Sequence, residues 1–138
     1  WVDYGIHDKP RGMGAVGGTE YVYIHETGTS DDGNPMSTFV ESGDFDLADG
    51  DHFLFISQLI PDIVLSGVSA AVDYTIKTRA YPGDALISEA TASVVSDTKK
   101  ANVRCRGRTA AVKISSSDTQ TAWTLGDMRL DMRPDGRR

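Results

Sequence analysis

Cysteine occurs once in this 138-residue chain, proline five times, and a long apolar run not at all. Each scarcity excludes something. The single Cys105 cannot close an intrachain disulfide, which removes the disulfide-rich secreted class and fits a reducing or redox-indifferent setting. The longest apolar stretches, residues 53–56 and the interrupted 59–65, fall far short of the ~20 residues that a membrane-crossing helix needs, so no membrane span is expected. No basic-then-apolar leader stands at the start, and a chain opening at Trp1 is expected to be a piece of a longer one. The length suits one domain with its own apolar core and is short for two.

Positive charge is also scarce, but only over the first two thirds. Residues 1–98 carry four basic and sixteen acidic groups, residues 99–138 ten basic and four acidic, so the formal charges are −12 and +6 within a total of −6. Arg104, Arg106, Arg108 and Lys113 crowd into ten positions of the basic part. The two parts are expected to attract each other, within one domain or between subunits, where partly buried pairs matter more than solvated ones. Nucleic-acid binders more often combine a basic whole domain with interleaved aromatics. The sequence has neither.

What is abundant is alternation. Apolar residues recur at every second position, the period of a half-buried strand. In 19–26, Tyr21, Tyr23 and His25 share one face, with Glu20, Val22, Ile24 and Glu26 on the other. Residues 28–35 read as a surface loop. A strand is expected from Thr38 to Glu41, another through Phe53, Leu54, Phe55 and Ile56, and Asp49-Gly50-Asp51 between them looks like a hairpin turn. In 69–80, Ala70, Val72, Tyr74, Ile76 and Thr78 face inward, while Ala71, Asp73, Thr75, Lys77 and Arg79 form a wet face. Pro82-Gly83 closes that strand. Short helical pieces fit only around 84–90, ahead of a strand near 90–96. Val103, Cys105, Ala110, Val112 and Ile114 point inward, so Arg104 and Arg106 form a row on the opposite face. A final strand carries Trp123, Leu125, Met128, Leu130 and Met132, with Gly126 as a bulge. The pattern predicts an all-β fold, an antiparallel β-sandwich or jelly roll of seven or eight strands, forming a single domain over 1–138 with 1–18 as a flexible or linker arm.

Few residues suggest chemistry. His7, His25 and His52 lack partners at zinc-ligand spacing, and His25 and His52 read as cross-strand or loop hydrogen-bonding residues. Asp44, Asp46, Asp49 and Asp51 are the best candidates for a cation, calcium, yet Ala48 stands where an EF-hand would need an oxygen donor and no bidentate Glu follows. Solvated carboxylates of a turn are the default, and no cofactor is expected. There is no G-x-S-x-G elbow, and Cys105 reads as a buried packing residue. Carboxylates can be paired on paper as in a glycosidase, without any readable separation. Gly12, Gly14, Gly17 and Gly18 lack the Lys-Ser/Thr of a phosphate loop.

Several short motifs recur in one order: Gly43-Asp44 after a strand, Ile60-Pro61-Asp62, Arg104-x-Arg106-Gly107-Arg108, Trp123-x-x-Gly126-Asp127 and a terminal Asp135-Gly136-Arg137-Arg138. In this order the chain resembles, over roughly residues 20–138, the C-terminal part of tail nozzle or packaged-DNA stabilisation proteins of short-tailed bacteriophages. The resemblance implies a non-enzymatic virion subunit of the tail or head-tail region, assembled in the host cytoplasm. Its partners would be neighbouring virion subunits, a homo-oligomeric ring, and packaged DNA in non-specific contact. Members are larger, with propeller-like regions upstream. In a cyclic ring the two contacting patches differ, which suits an acidic and a basic face. Arg104, Arg106, Arg108, Arg129 and Arg133 are the expected interface or DNA-facing residues, reaching acidic loops such as 44–51 in the same chain or the next. The alternative from another class is a carbohydrate-binding jelly-roll module recognising a cell envelope, with Trp1, Tyr4, Tyr21, Tyr23 and Tyr81 for stacking.

Overall fold

Strands need partners for every second backbone group, and the order in which this chain finds them builds two layers. The computed structural model describes residues 1, 2, 5 and 7–137. Their regular elements are all strands: β1 (Arg11–Val16), β2 (Thr19–Ile24), β3 (Ser30–Asp31), β4 (Asn34–Pro35), β5 (Thr38–Glu41), β6 (Phe45–Asp46), β7 (Leu54–Ile60), β8 (Ile63–Ser66), β9 (Ala71–Arg79), β10 (Leu86–Val95), β11 (Ala101–Gly107), β12 (Thr109–Ser116), β13 (Ala122–Leu125) and β14 (Arg129–Pro134). All pairings are antiparallel. One sheet runs β10-β9-β12-β5 with β6 also on β12; the second runs β11-β7-β14; β13 pairs β8. The fold is all-β and of β-sandwich type. Fourteen strands replace the expected seven or eight, because pairs of residues such as β3, β4 and β6 add short ladders at turns.

The core is drawn from the facing sides of both sheets: Leu54, Ile56 and Leu59 of β7 and Val103 and Cys105 of β11 meet Val72, Tyr74 and Ile76 of β9 and Ala110, Val112 and Ile114 of β12. Each large apolar side chain withdrawn from water in this way stabilises the fold by about 1.5–3 kcal/mol. The expected alternation holds at all five inward positions, Ala70 just before β9 and Val72, Tyr74, Ile76 and Thr78 within it. Its other face is drier than expected. Only Asp73 is exposed there, Thr75 is buried with its hydroxyl 3.0 Å from that of Thr91, and Lys77 and Arg79 are half-buried under ion pairs.

Four local expectations are corrected. Residues 86–95 are a strand and not helix: the Pro82-Gly83 turn folds them back along β9, and Ser88, Ala90, Ala92 and Val94 then face inward at period two, overriding the alanines' helical preference. Asp49-Gly50-Asp51 does make a turn, with positive φ at Ala48, Asp49 and Gly50, but it is no hairpin, since β6 pairs with β12 and the chain crosses there to β7 in the other sheet. Gly126 is not a bulge within one strand. It ends β13, which belongs with β8, before β14 joins β7, and a Cβ on it would lie 2.4 Å from the Asp62 carboxylate. The glycine-rich stretch is no arm either: residues 11–24 form the β1–β2 hairpin, turned at Gly17-Gly18 with φ of 59° and 82°, as a two-residue hairpin turn requires.

Candidate binding face on the outer sheet

Strand parity decides what the β11-β7-β14 sheet shows to solvent. Burial of Val103 and Cys105 turns Asn102, Arg104 and Arg106 outward, and burial of Leu54 and Ile56 does the same for Phe53 and Phe55. The register then places Arg106, Phe55 and Arg133 side by side across the three strands. Ser57 and Gln58 of β7 both avoid the core because the ladders shift register beside them. Ser57 donates to the Asp131 carboxylate at 2.7 Å, and Gln58 donates to Asn102 at 3.4 Å. Around them lies a shallow, open groove of about 480 Å³ lined by Phe55, Ser57, Arg104, Asp131 and Arg133 among others.

The arginines differ in what holds them. Arg106 donates from Nε to the Asp135 carboxylate at 2.6 Å and from Nη2 to the Asp135 carbonyl at 3.0 Å, and its guanidinium sits 4.4 Å from the Phe53 ring centre. Arg108, in the turn between β11 and β12, is half-buried and reaches the 44–51 loop through backbone oxygens: Nη1 donates to the Gly50 and Asp51 carbonyls at 2.7 and 3.3 Å. It also lies over Phe53 and Tyr81, 4.9 and 5.3 Å from their ring centres. Arg133 covers Phe55 at 4.9 Å. Arg104, Arg129 and Arg133 are exposed and form no ion pair among the described residues.

Three ion pairs join described residues: Lys77 with Glu41 at 2.7 Å, Arg79 with Asp44 at 2.5 Å, and Arg106 with Asp135 at 2.6 Å. Two close within the acidic part of the chain and one within the basic part. None of these three pairs joins the acidic part to the basic part, and Arg104, Arg129 and Arg133 leave positive charge exposed on the outer sheet.

Phe53 and Phe55 escaped the sequence reading as site residues. They stand some 50 positions from the arginines they flank, so the basic stretch looked free of aromatics although the fold interleaves them. The available signal was parity, since two rings alternating with Leu54 and Ile56 must share the face opposite the core. The aspartates do not assemble a metal centre: Asp44 is taken by Arg79, and no three His, Cys, Asp or Glu side chains among the described residues are placed to hold an ion. His25 packs on Trp1 with ring centres 4.5 Å apart, and His52 accepts from Arg137 at 3.4 Å. Cys105 is fully buried, and burial pushes its thiol pKa up. Tyr4 and Arg138 lie outside the described residues.

Four of the five short motifs meet in two pairs, and Asp44 of the fifth is held by Arg79. Asp62 of Ile-Pro-Asp accepts from the Gly126 amide through its carbonyl at 2.8 Å and from the Asp127 amide through its carboxylate at 2.9 Å, which ties it to Trp-x-x-Gly-Asp. Arg106 and Arg108 bind Asp135 and, at 3.4 Å, the Arg137 carbonyl, tying Arg-x-Arg-Gly-Arg to the terminal motif. No protein-family model matches the chain, and no curated protein matches it in sequence.

Proposed function

We propose that this chain is a non-enzymatic assembly element of the tail or head-tail region of a short-tailed phage, with a nozzle or DNA-retention role, and that it joins a neighbouring virion subunit through the outer face of β11-β7-β14. The observation that carries the reading is the set of exposed arginines, Arg104, Arg129 and Arg133, without ion pairs among the described residues, on a sheet face that also presents two phenylalanine rings. Arginine and aromatic side chains are what protein interfaces concentrate. A guanidinium stays charged and is not deprotonated near neutral pH, so these groups suit binding over acid–base work.

A protein partner is favoured over nucleic acid by Asp131 and Asp135, which stand among the arginines and would repel phosphate, and by the chain's net charge of −6. The test is the solution mass by light scattering at low and high salt, alone and with short duplex DNA. Association that weakens as salt rises, and that Arg104→Ser with Arg133→Ser abolishes, is the expected result. A monomer at every salt concentration contradicts the reading; a monomer that binds duplex with a steep salt dependence replaces the subunit contact by a DNA contact.

A further inference from the structure

If the outer sheet is the basic half of a joint, the acidic half should be legible elsewhere, and a second groove has the right lining. It lies between the β1–β2 and β3–β4 hairpins, has a volume of about 660 Å³, and is lined by Tyr23, His25, Glu26, Asp31, Asp32 and Met36 among others. It shares no residue with the arginine face. Every charged side chain in the lining is a carboxylate, and neither Asp31 nor Asp32 forms an ion pair or a side-chain hydrogen bond among the described residues. Lys9, which comes near, is fixed to the adjacent turn by the Glu26 carbonyl and the Thr27 hydroxyl at 2.9 and 3.0 Å. Desolvation first, and then Asp32, Tyr21 and Asp31, holds the Tyr23 phenol above its ordinary pKa. Exposed Tyr21 lies beside Tyr23, ring centres 6.0 Å apart.

Two carboxylates and two phenol rings around an open groove are the chemistry that receives guanidinium groups: carboxylates accept paired N–H donors, and ring faces attract the cation. We propose that the groove lined by Tyr23, Asp31 and Asp32, with Tyr21 beside it, receives Arg104, Arg129 and Arg133 of a second copy of this chain. The contact is then heterologous, each copy giving one face and receiving on the other, so growth continues until a ring closes. This rests on the arginine face being the subunit-joining surface and names its acceptor.

A mixing experiment tests it. The donor-blocked variant carries Arg104→Ser and Arg133→Ser, and the acceptor-blocked variant carries Asp31→Asn and Asp32→Asn. All four side chains are outside the core, and Asn tolerates the positive φ of 47° at Asp32. Circular dichroism verifies that both variants keep the native strand content. By light scattering at low salt the unsubstituted chain is expected to exceed a dimer, each variant alone to associate at least tenfold more weakly, and their equimolar mixture to stop at the dimer, since only one productive joint remains. If the donor variant is monomeric while the acceptor variant associates like the unsubstituted chain, this inference is wrong and the proposed function survives with its acceptor elsewhere. If the unsubstituted chain never associates, both fail. Saturable binding of neutral oligosaccharides that Asp31→Asn and Asp32→Asn remove, with self-association unchanged, assigns the groove to sugar and overturns the inference.

Discussion

At the scale of single residues, the arginine face depends on a glycine and the core on a thiol. Gly107 ends β11 where a Cβ would stand 2.5 Å from the Thr78 Cβ and 3.1 Å from the backbone nitrogen and oxygen of Arg79. Neither neighbour can retreat: Thr78 is fully buried, with its hydroxyl placed to donate to the Arg106 and Ser88 carbonyls, and the Arg79 carbonyl accepts from the Arg108 amide at 2.8 Å. Gly107→Ala is therefore expected to cost about 1–3 kcal/mol in urea denaturation, by forced displacement in a packed site. The same displacement would shift Arg106 and Arg108 on either side of it. Cys105 allows a separate check. Its burial disfavours the thiolate, which is the reactive form. At pH 8 a thiol reagent followed by mass spectrometry is expected to label the chain only as fast as it unfolds, with rapid labelling in strong urea. Fast labelling of the native protein would contradict the buried placement.

At the scale of elements, β5 is a four-residue edge strand tied down by charge. Its Glu41 accepts from Lys77, and that hydrogen bond, with the charges of Lys77, Lys113 and Arg79, holds the Glu41 carboxyl below its ordinary range against the opposing effect of desolvation. A lowered folded-state pKa stabilises the fold fully above the unfolded value and loses that contribution as pH falls through the folded value. The urea midpoint is expected to drop between neutral pH and the acid side of the carboxylate range, and Glu41→Gln to lower the midpoint at pH 7 and flatten the acid slope. Elements also mark what the sequence discloses. A strand with one dry and one wet side, such as β11, is readable because its pattern is its environment, and β9 is readable on its inward side, although ion pairs and a buried threonine dry the other. β10 was read partly as helix because its inward residues are small, Ser88, Ala90 and Ala92, and leave a weak period-two signal. The break between β13 and β14 was hidden because sheet membership is a long-range property: Gly126 looks like a bulge until Asp62, 64 positions earlier, is seen to occupy the space beside it. The arginine row was legible for the same reason as β11, whereas its phenylalanine neighbours and the Asp31–Asp32 groove arise only from pairing.

At the scale of the whole molecule, the sandwich and the leading hairpin are unequal partners. The shared core and the hydrophobics packed on it begin at Phe45, and β1 and β2 pair only with each other, apart from the Val2–Arg11 bridge. Met13, Val22 and Ile24 are exposed on the hairpin. Deleting residues 1–28 is thus expected to leave the thermal midpoint, followed by circular dichroism, within about 2 °C, since an element that shares no core contributes little to the cooperative transition. A fall of 10 °C would mean that the hairpin belongs to the folding unit. The second sheet behaves in the opposite way. Its middle strand, β7, is flanked by β11 and β14, both made later. At ~5–20 residues per second, synthesis from residue 60 to residue 134 takes about 4–15 seconds. For that interval the apolar segment from Leu54 to Ile60 leaves the ribosome with first two bare edges and then one, the condition in which strands pair with the wrong chain. Strand order therefore lets the second sheet close only once β14 has been made, and leaves β7 exposed to wrong pairing until then.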